Sequence, residues 1–222
     1  MAREPHQKGT SVLPVVAALK AHPDRQRLVP ERLRKYFDEH IVASSWYPER
    51  DYFVLIEALV KTIDPKSVGG DVWRFFARYS VRGDVGGKDV PGAGKSATKG
   101  VYRGFASVGP DEPERFFRLA TGLWRQYHDS GTMQILGGRA KTNSVVARLV
   151  GFQIPIQGFV QLQGYYVEEF GRMIGLDVTS NVTRSTARGE PFCEWEYRLG
   201  RTPVTEAFVA SLAALPGDGQ GP

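Results

Sequence analysis

The sequence predicts an α+β fold, in which a helical amino-terminal half packs on a four-stranded antiparallel sheet strung β-β-α-β-β, with the crossing helix at about 156–174. Three observations predict it. Before Gly131 the apolar residues recur three and four apart, the period of a helix with one buried face. After Gly131 they alternate with polar residues or gather in β-branched runs, the period of a strand. Between two such strand pairs lies one long helical period, Phe159, Leu162, Gln163, Tyr166, Phe170, Met173 and Ile174, which stops at Gly175.

Taken in order, Thr10 is an N-cap for a first helix carrying Val12, Leu13, Val15, Val16 and Leu19 to a break at His22-Pro23. Pro30 opens a second helix that turns Leu33, Tyr36, Phe37 and Ile41 inward. Ser44 to Glu49 offers caps and a proline for a third helix, burying Tyr52, Phe53, Leu55, Ile56, Leu59 and Ile63, with Trp46 and Tyr47 as a hydrophobic lid on its start. Val72 to Tyr79 is a fourth, rich in aromatics. Helical character resumes over Val101 to Val108, and Asp111, Pro113 and Glu114 start a helix that runs to His128. Thr132–Leu136 and Ser144–Phe152 are the first strand pair, turning through Gly137-Gly138 and Lys141-Thr142-Asn143. Asp177–Thr186 and Pro191–Leu199 are the second, turning at Ala187–Glu190, and Thr205–Leu215 is a last short helix. Residues 1–9 read as a flexible amino terminus, 10–215 as a single domain with a mobile glycine-rich loop at 83–100, and 216–222 as a disordered tail.

Composition narrows the function classes. An apolar fraction of 41% suits a buried core, yet no apolar run approaches the roughly 18 residues that span a bilayer, and Met1–Gly9 lacks a signal-peptide core, so a cytoplasmic protein without membrane insertion is expected. The one cysteine, Cys193, excludes an internal disulfide and any multi-cysteine zinc site. The net charge of +5 is not spread evenly: residues 1–133 hold 21 Lys+Arg against 16 Asp+Glu, whereas 134–222 hold 8 against 8. Much of the excess falls in the loop 82–103, which keeps nucleic-acid binding open on charge alone, although one mildly basic loop falls short of the clustered phosphate contacts such binding uses.

Motifs for catalysis fail on spacing. Pro91-Gly92-Ala93-Gly94-Lys95-Ser96 is similar to a phosphate-binding loop, but the glycine required five residues before Gly94 is Asp89 and no buried strand precedes it. The histidines His6, His22, His40 and His128 form no ligand pair. Glu168 and Glu169 point in different directions on a helix and read as solvated, with Arg172 as an ion-pair partner; Glu194 and Glu196 flank Trp195 and share the wet face of a strand. No nucleophile is matched to a base, so neither an enzyme nor a cofactor is predicted. His128 follows Trp124 by one turn, which aims both at one pocket or else leaves His128 on the helix dipole. The segment from Phe152 to Tyr166 crowds amides and phenols among apolar residues, as an orienting small-molecule pocket does and as an ordinary aromatic core also does. The pocket candidates are Trp46, Tyr47, Trp124, His128, Phe152, Gln157, Tyr165 and Tyr166.

Lys8-Gly9-Thr10, Ser45-Trp46-Tyr47-Pro48 and the run Trp124 to Gly131 resemble a paralogous domain family of unknown function abundant in myxobacteria. More distantly, the segment Gly131–Leu199, with its close Gly189-Glu190-Pro191-Phe192-Cys193-Glu194-Trp195-Glu196, resembles the 4-vinyl-reductase-type ligand-binding domains, whose fold is shared with haem-nitric-oxide-binding domains and Bet3-type trafficking subunits. The resemblance implies a sheet packed on helices around an apolar cavity. It also implies a structural zinc held partly by two cysteines. Cys193 matches the second, but Ser185 stands in the place of the first, so no thiolate zinc site is expected; the Tyr-x-Ser-x-Arg pattern that holds haem propionates is missing too. The reading is a non-enzymatic binding or sensory domain for a small apolar ligand; the alternative is a homodimerising or partner-binding module whose core is filled by its own side chains.

Overall fold

In the computed structural model, which describes residues 4–85 and 104–213, the elements run as predicted from helices to a β-β-α-β-β unit. The helices are α1 (Gly9–Ala21), α2 (Arg25–Leu28), α3 (Lys35–Asp38), α4 (Glu49–Val60), α5 (Val72–Val85), α6 (Pro113–Tyr127), α7 (Gln157–Ile174) and α8 (Pro203–Ala213). The strands are β1 (His6–Lys8), β2 (Trp46–Pro48), β3 (Thr132–Arg139), β4 (Ser144–Val150), β5 (Val178–Arg184) and β6 (Cys193–Leu199). The last four form one antiparallel sheet in the order β3-β4-β6-β5, and β1 pairs with β2 in a separate two-stranded ribbon. The basic loop at 82–103 and the tail at 216–222 lie outside the described residues, save for the backbone of the last α5 residues.

Three expectations need correction at the amino-terminal end. Residues 6–8, expected to be flexible, form β1: Gln7 lies opposite Tyr47 and is buried. The third helix was expected to start in Ser44–Pro48, but Trp46–Pro48 is strand β2 and α4 starts at Glu49; pairing with β1 outweighs the local capping signal. The helix expected from Pro30 divides into a 3₁₀ turn at Glu31–Leu33 and the four-residue α3, pinned because the Asp51 carboxylate on α4 accepts from Arg32 at 2.7 Å and from the Tyr36 hydroxyl at 3.0 Å. Nor does the Thr10 side chain cap α1; the backbone N–H of Thr10 instead donates to the Ala43 carbonyl at 3.0 Å.

Elsewhere the periodicities hold. α7 ends at Gly175, whose φ of 78° is the left-handed conformation that closes a helix at least cost in glycine. The helix lies across the inner face of the sheet, where the Trp195 indole, fully buried on β6, donates to the Val160 carbonyl at 2.9 Å. α8 packs along β3 so closely that a Cβ on Gly138 would stand 2.1 Å from the Val209 carbonyl oxygen. Core residues from α1, α4, α6, α7 and the sheet make one continuous hydrophobic cluster.

The paired glutamates depart from the solvated reading. Glu168 and Glu169 are both buried, Glu168 accepting from the backbone and hydroxyl of Ser180 at 2.8 and 2.7 Å and pairing with Arg74 on α5, Glu169 pairing with Arg172 and Arg78. Glu194 and Glu196 do share the outer sheet face, yet each is covered. Arg148 holds Glu194 at 2.8 Å, and Glu196 accepts from Ser144 at 2.7 Å and Thr142 at 3.1 Å, with Arg139 and Arg198 within 4 Å. The Ser144 hydroxyl, then Thr142 and the two guanidinium groups, hold the Glu196 carboxyl below the usual carboxylate range against the opposing effect of burial.

A carboxylate whose affinity for protons is lowered in the fold stabilises the fold above the ordinary carboxylate range and loses that contribution as pH falls through its lowered value. Glu196→Gln is therefore expected to cost about 2 kcal/mol at pH 7, a cost that shrinks as pH falls below the ordinary carboxylate range and vanishes only below the carboxyl's lowered value. Urea denaturation of both proteins across that range reads the difference; a gap that stays constant with pH would remove the carboxylate's charge from the account.

Candidate functional site

The site grows out of the point where β1 meets the end of α6. His6 donates its backbone N–H to Asp129 Oδ1 at 2.7 Å and places its Nδ1 3.0 Å from Oδ2, while the Asp129 N–H donates to the His6 carbonyl at 3.1 Å. One residue on, Gln7 forms an isolated antiparallel bridge with His128. His128 terminates α6, its N–H donating to the Trp124 carbonyl at 2.9 Å, but its ring does not serve the helix dipole. It is buried, stacked on the Trp124 indole at 3.6 Å with the planes 3° apart, and its Nδ1 lies 3.2 Å from the Glu49 carboxylate at the start of α4. Trp124 is fixed in turn by donating to the Ser130 carbonyl at 2.8 Å.

Beside this joint lies a partly open cavity of about 100 Å³. α6 contributes Phe117, Ala120, Trp124 and His128; α7 contributes Phe159, Gln163, Tyr166 and Phe170; the sheet contributes Met133, Ala147 and Tyr197; Gln7, Ser11 and Tyr52 close it from the amino-terminal side. On α7 these positions follow 159, 163, 166 and 170, one helical stripe. Among the described residues no Asp, Glu, Lys or Arg lines it. Burial, reinforced by Tyr166, Glu49 and Tyr127, pushes the Tyr52 hydroxyl well above its ordinary pKa, and burial with Glu168 does the same to Tyr197. Both phenols face the cavity uncharged.

Three of the eight predicted residues, Trp124, His128 and Tyr166, line this cavity. Phe152 stands behind them, edge-on to Trp124 at 5.1 Å and to His128 at 5.6 Å. The other four lie elsewhere. Trp46 is half exposed under the Lys8 ammonium, 4.3 Å away, and Tyr47 accepts from the Val42 N–H at 2.8 Å beside Tyr36. Tyr165 neighbours Tyr166 in sequence and so points about 100° away around the helix; its hydroxyl donates to Asp71 at 2.7 Å, and burial followed by that bond pushes its pKa up to about 12. Gln157, at the first turn of α7, accepts from the Ser185 hydroxyl at 2.6 Å. There the hairpin is tied by hydrogen bonds: Ser185 and Cys193 are both fully buried, and Cys193 Sγ lies 3.2 Å from the Thr186 hydroxyl. Among the described residues no three His, Cys, Asp or Glu side chains are grouped to hold a metal ion, and no helix is long and apolar enough to cross a membrane.

Solved structures with this architecture are consistent in kind. An H-NOX protein from S. oneidensis, a triple mutant in the Fe(II) ligation state, aligns with a TM-score of 0.52 at 14% identity over 87% of this chain and 96% of that one. The Fe(II) unliganded H-NOX protein from K. algicida gives 0.50 at 10% identity over 88% and 98%, and an oxygen-binding H-NOX domain related to soluble guanylate cyclases gives 0.50 at 12% over 89% and 96%. The fold is that of the H-NOX domains. No family model and no curated protein matches the sequence, so the myxobacterial resemblance rests on its motifs alone. The alignments span nearly the whole of each H-NOX chain, the amino-terminal helices as well as the sheet.

The pair at the joint sets an expectation. Removing one partner of a buried polar pair leaves the other without compensation. His128→Ala should cost about 3 kcal/mol of unfolding free energy, and Glu49→Gln, which keeps a hydrogen-bonding oxygen, less than half as much. Chemical denaturation followed by Trp124 fluorescence reads both; equal losses would show that the Glu49 charge is not what His128 compensates.

Proposed function

We propose that this chain is a non-enzymatic binding or sensory domain that takes a small, uncharged, largely apolar molecule into the cavity between α6, α7 and the sheet. The observation that carries the reading is the partly open cavity itself, walled largely by aromatic rings on an H-NOX fold and lined, among the described residues, without a carboxylate or a basic chain. An apolar cavity of about 150 Å³ engineered into a protein core takes benzene, so one of about 100 Å³ suits a molecule with one small ring or a short branched chain.

The H-NOX fold brings haem to mind, and the residues present do not fit it. Sites for larger ligands run to about 300–1,000 Å³, well beyond the volume here. Among the described residues the lining offers no arginine or lysine to pair with propionates, and its one imidazole has Nδ1 held by Glu49 and a face covered by Trp124. Incubation with haemin is expected to leave no stoichiometric Soret band after gel filtration; a sharp band at one equivalent would overturn this exclusion.

Methylcyclopentane is a direct test of the cavity. Titration should shift the Trp124 indole resonance and saturate, and Ala120→Leu, which projects three further carbons into the space, should abolish the shift while leaving the fold intact. Native mass spectrometry of the protein from its own host reports bound ligand and oligomeric state together. No saturation in the first experiment, with a ligand-free homodimer in the second, would favour a dimerising module with a filled core.

A further inference from the structure

Gln7 is the anomaly of the cavity wall. It is only 2% exposed, yet its side-chain carbonyl has no hydrogen-bonding partner among the described residues. A buried amide left unpaired is costly, and native proteins retain one where a water, an ion or a ligand completes it. Its place is not accidental slack in a loose terminus. The backbone of Gln7 is held on one side by Tyr47 of β2 and on the other by the bridge to His128, and residues directly opposite in an antiparallel bridge send their side chains to the same side. Both line the cavity. The Glu49 carboxylate occupies Nδ1 of His128, which leaves Nε2 as the ring's remaining polar atom.

We propose that Gln7 and His128 form a polar anchor that selects, among ring-sized neutral molecules, those bearing one hydroxyl or carbonyl group. The inference rests on the cavity reading above and adds to it the chemistry of the ligand. A primary amide donates and accepts, so it satisfies an alcohol or a ketone, and the imidazole beside it supplies the second contact an alcohol can use. The rest of the wall is mostly aromatic and aliphatic, with Ser11, Thr121, Gln163 and tyrosine hydroxyls as its other polar groups. A charged ligand finds no counter-ion among the described residues of the lining. An analogue lacking the polar group leaves the amide unpaired, and such sites reject it more strongly than an apolar pocket distinguishes sizes.

Methylcyclopentane, cyclopentanol and cyclopentanone are nearly isosteric and separate these effects. On the wild-type chain the alcohol and the ketone should bind about tenfold more tightly than the hydrocarbon, the discrimination of one net hydrogen bond. Gln7→Met, close in shape and without the amide, should erase that preference, so that the alcohol and the ketone bind the variant no more tightly than methylcyclopentane binds it. In the unaltered protein, magnetisation transfer from the cyclopentanol ring protons to the Gln7 side-chain amide gives a readout that needs no variant to fold. Equal affinities of the three ligands for the wild type, a preference that survives Gln7→Met, or transfer absent at saturation would each overturn the anchor alone. Failure of all three ligands to bind would overturn the cavity reading with it.

Discussion

The contact on which the rest depends is the grip of His128 and Asp129 on the amino-terminal strand. A three-residue strand has little stability of its own, because the entropy of fixing its backbone exceeds what two or three hydrogen bonds return. β1 is ordered because it is bonded from two directions: to β2 along one edge, and through His6 and Gln7 to the residues that end α6 along the other. The same two residues close the circuit, since His128 also reaches the first residue of α4. β2, α4, α6 and the amino terminus are thereby fixed to one another at a single joint. Without it Gln7, Ser11 and Tyr52 would not face the rings of α6 and α7, and the cavity would open to solvent on that side.

Burial of charge follows a common pattern across the chain. Asp51, Glu168, Glu169, Glu194 and Glu196 are nearly inaccessible, and each is met by an arginine whose guanidinium stays at the rim. Arginine suits this because its stem packs against apolar surface and its fork presents several donors to one carboxylate. The desolvation cost of the carboxylates is offset by hydroxyl and backbone donors as well, with Ser180 on Glu168 and Ser144 on Glu196 as the clearest cases. These ties bind α5 to α7 and β4 to β6, and they leave the cavity free of charge by keeping ionised groups on the other faces of the same elements.

What the sequence makes legible, and what it hides, follows from the range of each interaction. The stop at Gly175, the stripe along α7 and the alternation of β4 and β6 are local consequences of period and conformation, and they appear where the residues place them. β1 does not, because nothing within residues 4–10 announces a strand; its partners lie forty and a hundred and twenty residues away. The same holds for the site. Trp124, His128 and Tyr166 share helical faces with core residues and can be found by spacing, whereas Gln7 and Tyr52 reach the cavity only through tertiary contacts. Tyr165 illustrates the converse error: aromatic density in sequence does not distinguish residues 100° apart on a helix, and only Tyr166 faces inward. The motifs Lys8-Gly9-Thr10, Ser45-Trp46-Tyr47-Pro48 and Trp124 to Gly131 look unrelated in the sequence and prove to be parts of one joint. The Lys8 ammonium lies over Trp46, a Cβ on Gly9 would stand 2.9 Å from the Tyr47 ring, and the third motif holds the strand.

The size of the cavity is a property of side chains, not of the backbone that encloses it. Phe105 stacks on Phe170 at 4.3 Å, Phe116 meets Phe117 edge-on at 5.2 Å, and Phe117 lies against both Tyr197 and Phe208. These rings narrow the space between α6, α7 and the sheet to the small cavity that remains, and a macrocycle could enter only by displacing several of them together. Backbones that superimpose at 10–14% identity therefore have no reason to share a ligand. What the likeness shows is a shared path of the backbone. Which molecule the void admits is decided by the rings that narrow it and by the one unpaired amide that β1 carries to its wall.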